Sequence, residues 1–168
     1  MRFSENQRNE APGDAPASDA ATGVVARQRL LSVLARSSGP ELLAHWKKTG
    51  LDPVVDVLRG PESGLVALQG RAGGTGQPFH VGEVSATRVT VRIGSGQVGH
   101  AMISGRDTRK AQLVAVIDAL AQDPAHAGLV EREIVAPLEQ LAREADARIR
   151  RETAATRVNF FTMVRGED

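Results

Sequence analysis

A glycine-rich stretch from Gly70 to Phe79 combines residue types that are suited to binding an anion. Four glycines fall within seven residues, beside one arginine and one threonine. Backbone N–H groups free of Cβ crowding can form an anion-binding nest, and an arginine adds a fixed positive charge. The same glycines are typical of a turn between two strands, because glycine adopts positive φ without steric cost, and glycine clusters are more often turns than sites. The residues of the anion interpretation are Arg71, Gly73, Gly74, Thr75 and Gly76.

Two further arginines are candidate anion contacts. The apolar residues of the third predicted strand change parity between residues 86 and 89, which predicts a β-bulge near Thr87-Arg88. Bulges often re-aim a side chain beside a site, so Arg88 is a candidate, with a plain surface or ion-paired arginine as the alternative. Arg106 follows the last predicted strand and completes the set.

The other polar residues do not assemble into a catalytic pattern. No two of the four histidines stand at i,i+3 or i,i+4 spacing and no HExxH occurs, so the sequence predicts no metal site. His80 and His100 approach each other only if the strands that carry them pair side by side. No serine lies in a nucleophile elbow, and Asp107 is best interpreted as a helix cap. We therefore predict no catalytic residue. The set of polar residues is typical of a binding or assembly subunit.

Composition narrows the function classes. A formal net charge of +1 gives no attraction to nucleic acid or to an anionic membrane, and aromatic residues at 3% are too few to stack bases. The chain has no cysteine, which excludes disulfides and thiolate metal sites. No apolar run approaches the ~18 residues that span a bilayer, and the N-terminus lacks an apolar signal core. A cytoplasmic protein is expected.

Around these residues the sequence predicts a single α+β domain over residues 22–155, preceded by a disordered tail over residues 1–21. The first helix runs from Val24 to Arg36. Ser38 and Glu41 form a capping box for a second helix that Gly50 ends.

An antiparallel four-stranded β-meander is predicted next, packed with the N-terminal and C-terminal helices. Gly60-Pro61 is expected to end the first strand. The strands are residues 54–59, 64–71, 81–93 and 98–104. Asp107 then caps a helix that is apolar on nearly every side between Leu113 and Ala121. We expect this helix to be buried between the sheet and a second layer, for which a partner subunit is a candidate. The last helical region, residues 128–153, is interrupted or kinked at Pro137.

The C-terminal segment, residues 156–168, is predicted to dock on a partner. It contains an apolar run, residues 158–164, where a free terminus is normally polar. Phe160, Phe161 and Met163 are the expected anchors, with Arg165 pairing with a carboxylate at the rim. Folding back as an edge strand is the alternative.

Several motifs resemble one known family. The order of the motifs is Arg71–Phe79, Thr87-Arg88, Gly105–Asp107 and the terminal run Asn-Phe-Phe-Thr-Met-Val-Arg-Gly at residues 159–166. In this order and spacing the chain resembles the PhnG family, the G subunits of the bacterial carbon–phosphorus lyase system, from about residue 27 to residue 166. His100 departs from the pattern, because an aromatic residue such as tyrosine is expected there in relatives.

The resemblance implies an accessory role in phosphonate catabolism. Such a subunit belongs to a core complex with the H, I and J subunits, to which the ATPase-like K subunit attaches. With H, I and L it supports formation of α-D-ribose 1-methylphosphonate 5-triphosphate from MgATP and methylphosphonate, with release of adenine. The nucleosidase chemistry is attributed to the I subunit and C–P cleavage to J, so the resemblance implies no cofactor in this chain. A freestanding phosphate- or nucleotide-binding protein that uses the glycine turn, and a homo-oligomeric structural protein, are the alternatives.

Overall fold

The computed structural model describes residues 17–155. The elements, in chain order, are α1 (Ala17–Arg36), α2 (Gly39–Thr49), β1 (Val55–Arg71), a 3₁₀ turn (Ala72–Gly74), β2 (Pro78–Ile93), β3 (Val98–Ser104), α3 (Thr108–Ala121), α4 (Ala127–Val130), a π-helical turn (Glu131–Val135) and α5 (Ala136–Ala155). Together they form an α+β domain with an antiparallel sheet, as predicted.

Local signals placed both ends of α2 and the start of α3 correctly. The Ser38 hydroxyl accepts from the Glu41 N–H while the Glu41 carboxylate accepts from the Ser38 N–H, so the predicted capping box is confirmed. Gly50 ends α2 in the left-handed conformation with φ of 64°, and Asp107 caps α3 by accepting from the N–H of Lys110. Helix α1 begins at Ala17, ahead of the predicted start at Val24.

The described sheet has three strands in the order β1-β2-β3, and the prediction of four strands was wrong. Gly60-Pro61 does not end the first strand, because β1 runs on through it to Arg71. Gly60 adopts φ of 73°, and three residue steps from Arg59 to Glu62 match two steps on β2. Proline is tolerated at a bulge of an edge strand, where a missing ladder hydrogen bond costs little. The strand therefore bulges here and continues.

The bulge predicted at Thr87-Arg88 is absent from β2. Pairing with β3 runs without a shift from Ala86–Ser104 to Arg92–Val98. The buried positions of β2 keep one parity, because the polar Thr87 occupies a core position in line with Val89 and Val91. The Thr87 hydroxyl donates to the Gly105 carbonyl at 2.8 Å and so joins β2 to the loop before α3. The apolar residues before Thr87 lie on the opposite face of the strand. The apolar side chains of β2 therefore switch faces at Thr87 without a shift in the pairing with β3.

Helix α3 lies at the centre of the domain. It contacts the sheet on one side and α1, α2 and α4 on the other, and its residues 114–120 are all buried. The second layer that its apolar sequence predicted is therefore supplied by helices of the same chain rather than by a partner subunit.

Gly99 sets the distance between β3 and α3. A Cβ atom at this position would lie 1.9 Å from the Ala115 carbonyl oxygen and 2.7 Å from the Ala119 nitrogen. Such separations are far below van der Waals contact, so only glycine allows the backbone of α3 to approach the strand this closely.

A π-helical turn precedes Pro137, and the helical region continues through the proline. In a regular helix the Glu133 carbonyl would accept from the N–H of residue 137, which proline lacks. The imidazole of His45 fills this position, with Nδ1 lying 3.0 Å from the Glu133 oxygen. Helix α2 thereby satisfies a backbone group that Pro137 leaves without its usual donor.

No helix within residues 17–155 is long and apolar enough to cross a membrane.

Candidate functional site

The glycine-rich stretch forms the tip of a β-hairpin. Gly73 and Gly74 have φ of 62° and 82°, which residues with a side chain rarely adopt. The N–H groups of Thr75 and Gly76 both donate to the Ala72 carbonyl, the second at 2.9 Å. Two amides of the predicted anion nest are therefore used within the turn. The turn interpretation is confirmed, and anion binding at this position stays a prediction.

The predicted arginines do not converge on the turn. The Arg71 guanidinium donates to the Gly76 carbonyl at 3.2 Å and so spans its own turn. Arg88 lies ten residues beyond Pro78, the partner of Arg71, which is roughly 33 Å along an extended strand. Arg106 is exposed in the loop between β3 and α3. The fold thus places Arg88 and Arg106 near one end of β3 and Arg71 at the far tip.

The hairpin extends beyond the third strand. Because β3 pairs with β2 only over residues 86–92, β1 residues 64–71 and β2 residues 78–85 form a two-stranded projection, which we call the arm. Its outer face is the sheet face opposite α3. Val66 pairs with Val84 on this face, and the absent Cβ of Gly70 points at Phe79 and Val81. The exposed fractions on this face are 41% for Leu68, 52% for Phe79, 59% for Val81 and 38% for Val84.

At the base of the arm the outer face becomes charged. One carboxylate oxygen of Glu62 accepts from Nε of Arg88 at 2.8 Å and from Nε of Arg59 at 2.9 Å. Hydrogen bonds from Arg88 and then Arg59 hold the pKa of Glu62 below its ordinary value. Arg88 is therefore ion-paired, which was the alternative to its role as an anion contact. Two guanidinium groups around one carboxylate leave this cluster with a net positive charge.

A buried carboxylate, at a position that the sequence did not predict as a site, holds α1, α3 and β3 together. Asp118 is fully buried and accepts from Arg27 at 2.9 Å and 2.6 Å. It also accepts from the backbone N–H of His100 at 2.8 Å. The hydrogen bond with Asp118 raises the pKa of Arg27. The signal was a single acid inside an apolar helix, since a buried charge requires a partner.

Asp123 is the centre of a second polar cluster that the sequence did not predict. It accepts from the Ala125 N–H at 3.0 Å and from the Ser95 hydroxyl at 2.9 Å, while His126 Nδ1 lies 3.1 Å from it. These contacts, with Ala125 first, lower the pKa of Asp123. Nucleophilic catalysis requires the imidazole to contact the hydroxyl, whereas here both contact the carboxylate. The cluster therefore ties the loop between α3 and α4 to the loop between β2 and β3.

The remaining predicted positions do not form a site with these clusters. His80 lies in the arm opposite Gln69, while His100 pairs with Thr90 at the base, so the two histidines do not meet. Among residues 17–155 no three His, Cys, Asp or Glu side chains are grouped to hold a metal ion. The predicted partner anchors Phe160, Phe161, Met163 and Arg165 lie outside the described residues.

Comparison with known proteins gives consistent matches over nearly the whole chain. Residues 25–166 match the family described as phosphonate metabolism protein PhnG. A relative from Rhizobium meliloti (strain 1021), named α-D-ribose 1-methylphosphonate 5-triphosphate synthase subunit PhnG, is 48% identical over 149 residues. The match covers 87% of this chain and 93% of that relative.

Proposed function

The chain belongs to the PhnG family of phosphonate metabolism proteins, and we propose that it is an accessory subunit of the carbon–phosphorus lyase complex. In this role it supports the α-D-ribose 1-methylphosphonate 5-triphosphate synthase reaction within organic phosphonate catabolism. The observation that carries the proposal is the 48% identity to a named synthase subunit, over most of both chains.

Within that complex the partners would be the H, I, J and K subunits, in the cytoplasm. The complex would use MgATP and methylphosphonate and release adenine, and this chain would bring neither a catalytic residue nor a cofactor. The hydrogen bonds of its two buried aspartates support this role, because they engage both side chains within the fold. Asp118 is held by Arg27 and by the His100 N–H, and Asp123 by Ser95 and Ala125, so both carboxylates act in the fold.

Adenine release from ATP tests the accessory role. We expect the purified chain alone to release no adenine above a no-enzyme control, with or without methylphosphonate. Omitting the chain from a reconstituted complex should abolish adenine release, and adding the chain back should restore it. Adenine release by the isolated chain that a single substitution eliminates would show instead that this chain is catalytic.

The alternative, a freestanding phosphate-binding protein, predicts affinity in the isolated chain. The amides of Thr75 and Gly76 are already bonded to Ala72, so we expect calorimetry with inorganic triphosphate or ATP to show no binding. Binding that Arg71→Ala removes would favour the alternative function.

We further propose that residues 156–168 dock on a partner subunit through Phe160, Phe161, Met163 and Arg165. A chain truncated after Ala155 should keep its helix content by circular dichroism and fail to co-purify with the other subunits. Unfolding of the truncated chain would show that this segment belongs to its own core.

A further inference from the structure

The arm is exposed on both faces, although its outer face is apolar. No charged residue lies between Glu62 and Arg71, and the charged Glu83 pairs with Ala67 on the opposite face. Two-stranded hairpins are at best marginally stable alone in water. Edge strands in monomeric proteins are usually protected by charges, which this part of β1 lacks. The arm therefore has the properties of a surface that is covered in the working protein.

The exposed apolar area is large enough for a docking site. With Met102, which is 60% exposed next to the base, the outer face presents five partly exposed apolar side chains: Leu68, Phe79, Val81, Val84 and Met102. Their exposed fractions correspond to roughly 400 Å² of apolar surface, the size of patch that usually marks an interaction site. This is about half of what one partner contributes to a standard interface.

The charges at the two ends of the arm select the type of occupant. The tip carries Arg71, and the base carries two arginines around one glutamate, so both ends are positive. Two copies of this chain docked through their outer faces would bring like charges together in either orientation, which is unfavourable. A complementary surface is apolar in its centre and has carboxylates at both ends.

We propose that the outer face of the arm docks on another subunit of the synthase complex, through an apolar patch flanked by acidic residues. This inference rests on the proposed function, since it assumes that the chain is a complex subunit. It assigns the contact to residues 66–84 of the hairpin, independently of the C-terminal segment.

Co-purification with full-length tagged chain tests the proposal. The chain is co-expressed with the other subunits from their native genes, as wild type, Leu68→Asp, Phe79→Asp or the matched control Leu65→Asp. Leu65 is 64% exposed on the opposite face of the same strand. We expect Leu68→Asp and Phe79→Asp to reduce recovery of the other subunits by about tenfold or more, and Leu65→Asp to leave it near the wild-type level.

Each result has a distinct meaning. Wild-type recovery by Leu68→Asp and Phe79→Asp would overturn the docking face while leaving the subunit role intact. Wild-type chain that recovers no synthase subunit would overturn the proposed function and this inference with it. Sedimentation analysis of the isolated chain could also show a dimer. If Leu68→Asp dissociates that dimer, the outer face binds a second copy of the chain, which contradicts the proposal.

Hydrogen exchange on the unmodified chain removes any dependence on whether the variants fold. Amides of residues 64–70 and 79–85 should exchange about tenfold more slowly in the assembled complex than in the isolated chain. Unchanged exchange in these two segments would overturn the proposal.

Discussion

Strands β1 and β2 pass through two environments in one hairpin. At the base, Val89 and Val91 are buried under α3, and the opposite face carries the Arg92–Asp56 and Arg88–Glu62 ion pairs. In the arm the ladder between the strands continues, yet Leu65 and Leu68 are exposed on its two faces. The base follows the usual arrangement of an antiparallel sheet with one covered and one solvated face. The arm has the same backbone pairing without a covering layer.

The contrast separates two uses of apolar residues. In the base they contribute to the stability of this chain, because burial removes them from water during folding. In the arm they remain in water in the isolated chain, so their contribution depends on what the arm contacts. Variants in the base should therefore change folding, and variants on the outer face of the arm should change assembly.

The largest effect is expected at Gly99. Gly99→Ala places a Cβ against the Ala115 carbonyl and should lower the free energy of unfolding by about 3 kcal/mol, measured by urea denaturation. The matched control is Gly64→Ala in the arm, where a Cβ meets nothing within 4 Å and which should change stability by less than about 1 kcal/mol. Equal effects at the two glycines would remove the distinction between base and arm.

Asp118→Ala should have the next largest effect. It leaves Arg27 and the His100 N–H without their shared acceptor, and we expect a loss of about 2 kcal/mol, less than for a fully buried pair because Arg27 is 38% exposed. Asp56→Ala removes the exposed pair with Arg92 and should cost no more than about 0.5 kcal/mol. Thermal or urea unfolding measures the stability loss of both variants. A larger loss for Asp56→Ala than for Asp118→Ala would contradict the prediction.

Hydrogen exchange compares the two regions without a substitution. In the isolated chain the amides of β2 residues 87–91 should exchange at least about tenfold more slowly than those of residues 79–85, because only the base is covered by α3. Uniform protection along the whole of β2 would show that the arm is as stable as the base.

Low pH should destabilise the domain through Glu139, and this is the smallest of the four expected effects. Arg29 holds the pKa of Glu139 below its ordinary value of 4.5, so the contact stabilises at neutral pH and is lost as pH falls through the lowered folded value. Glu139→Gln should therefore lower stability at pH 7 and reduce its decline between about pH 5 and about pH 3. An unchanged pH profile in urea denaturation would show that the Arg29–Glu139 pair does not contribute.

The sequence predicted what is determined by neighbouring residues. The Ser38–Glu41 capping box, the left-handed Gly50 and the Asp107 cap all depend on contacts within four residues, and each was correct. The family was also identified from short motifs in a fixed order, and the family match supports it.

Features that depend on distant residues were missed or misplaced. Gly60-Pro61 has the composition of a strand end, but pairing with Thr90 and Arg88 carries β1 past it. Asp118 and Arg27 are separated by 91 residues, so their contact follows from the packing of α3 against α1 rather than from a local pattern. Arg88 was singled out by an apparent phase change that Thr87 explains, because a hydrogen-bonded hydroxyl can occupy a core position.

The bond between His45 and the Glu133 carbonyl fixes which nitrogen of the neutral ring carries hydrogen. A carbonyl can only accept, so the hydrogen resides on Nδ1 and the lone pair on Nε2. This tautomer ties α2 to the helical region around Pro137, and it should be visible as an unprotonated Nε2 in nitrogen NMR spectra of the neutral ring.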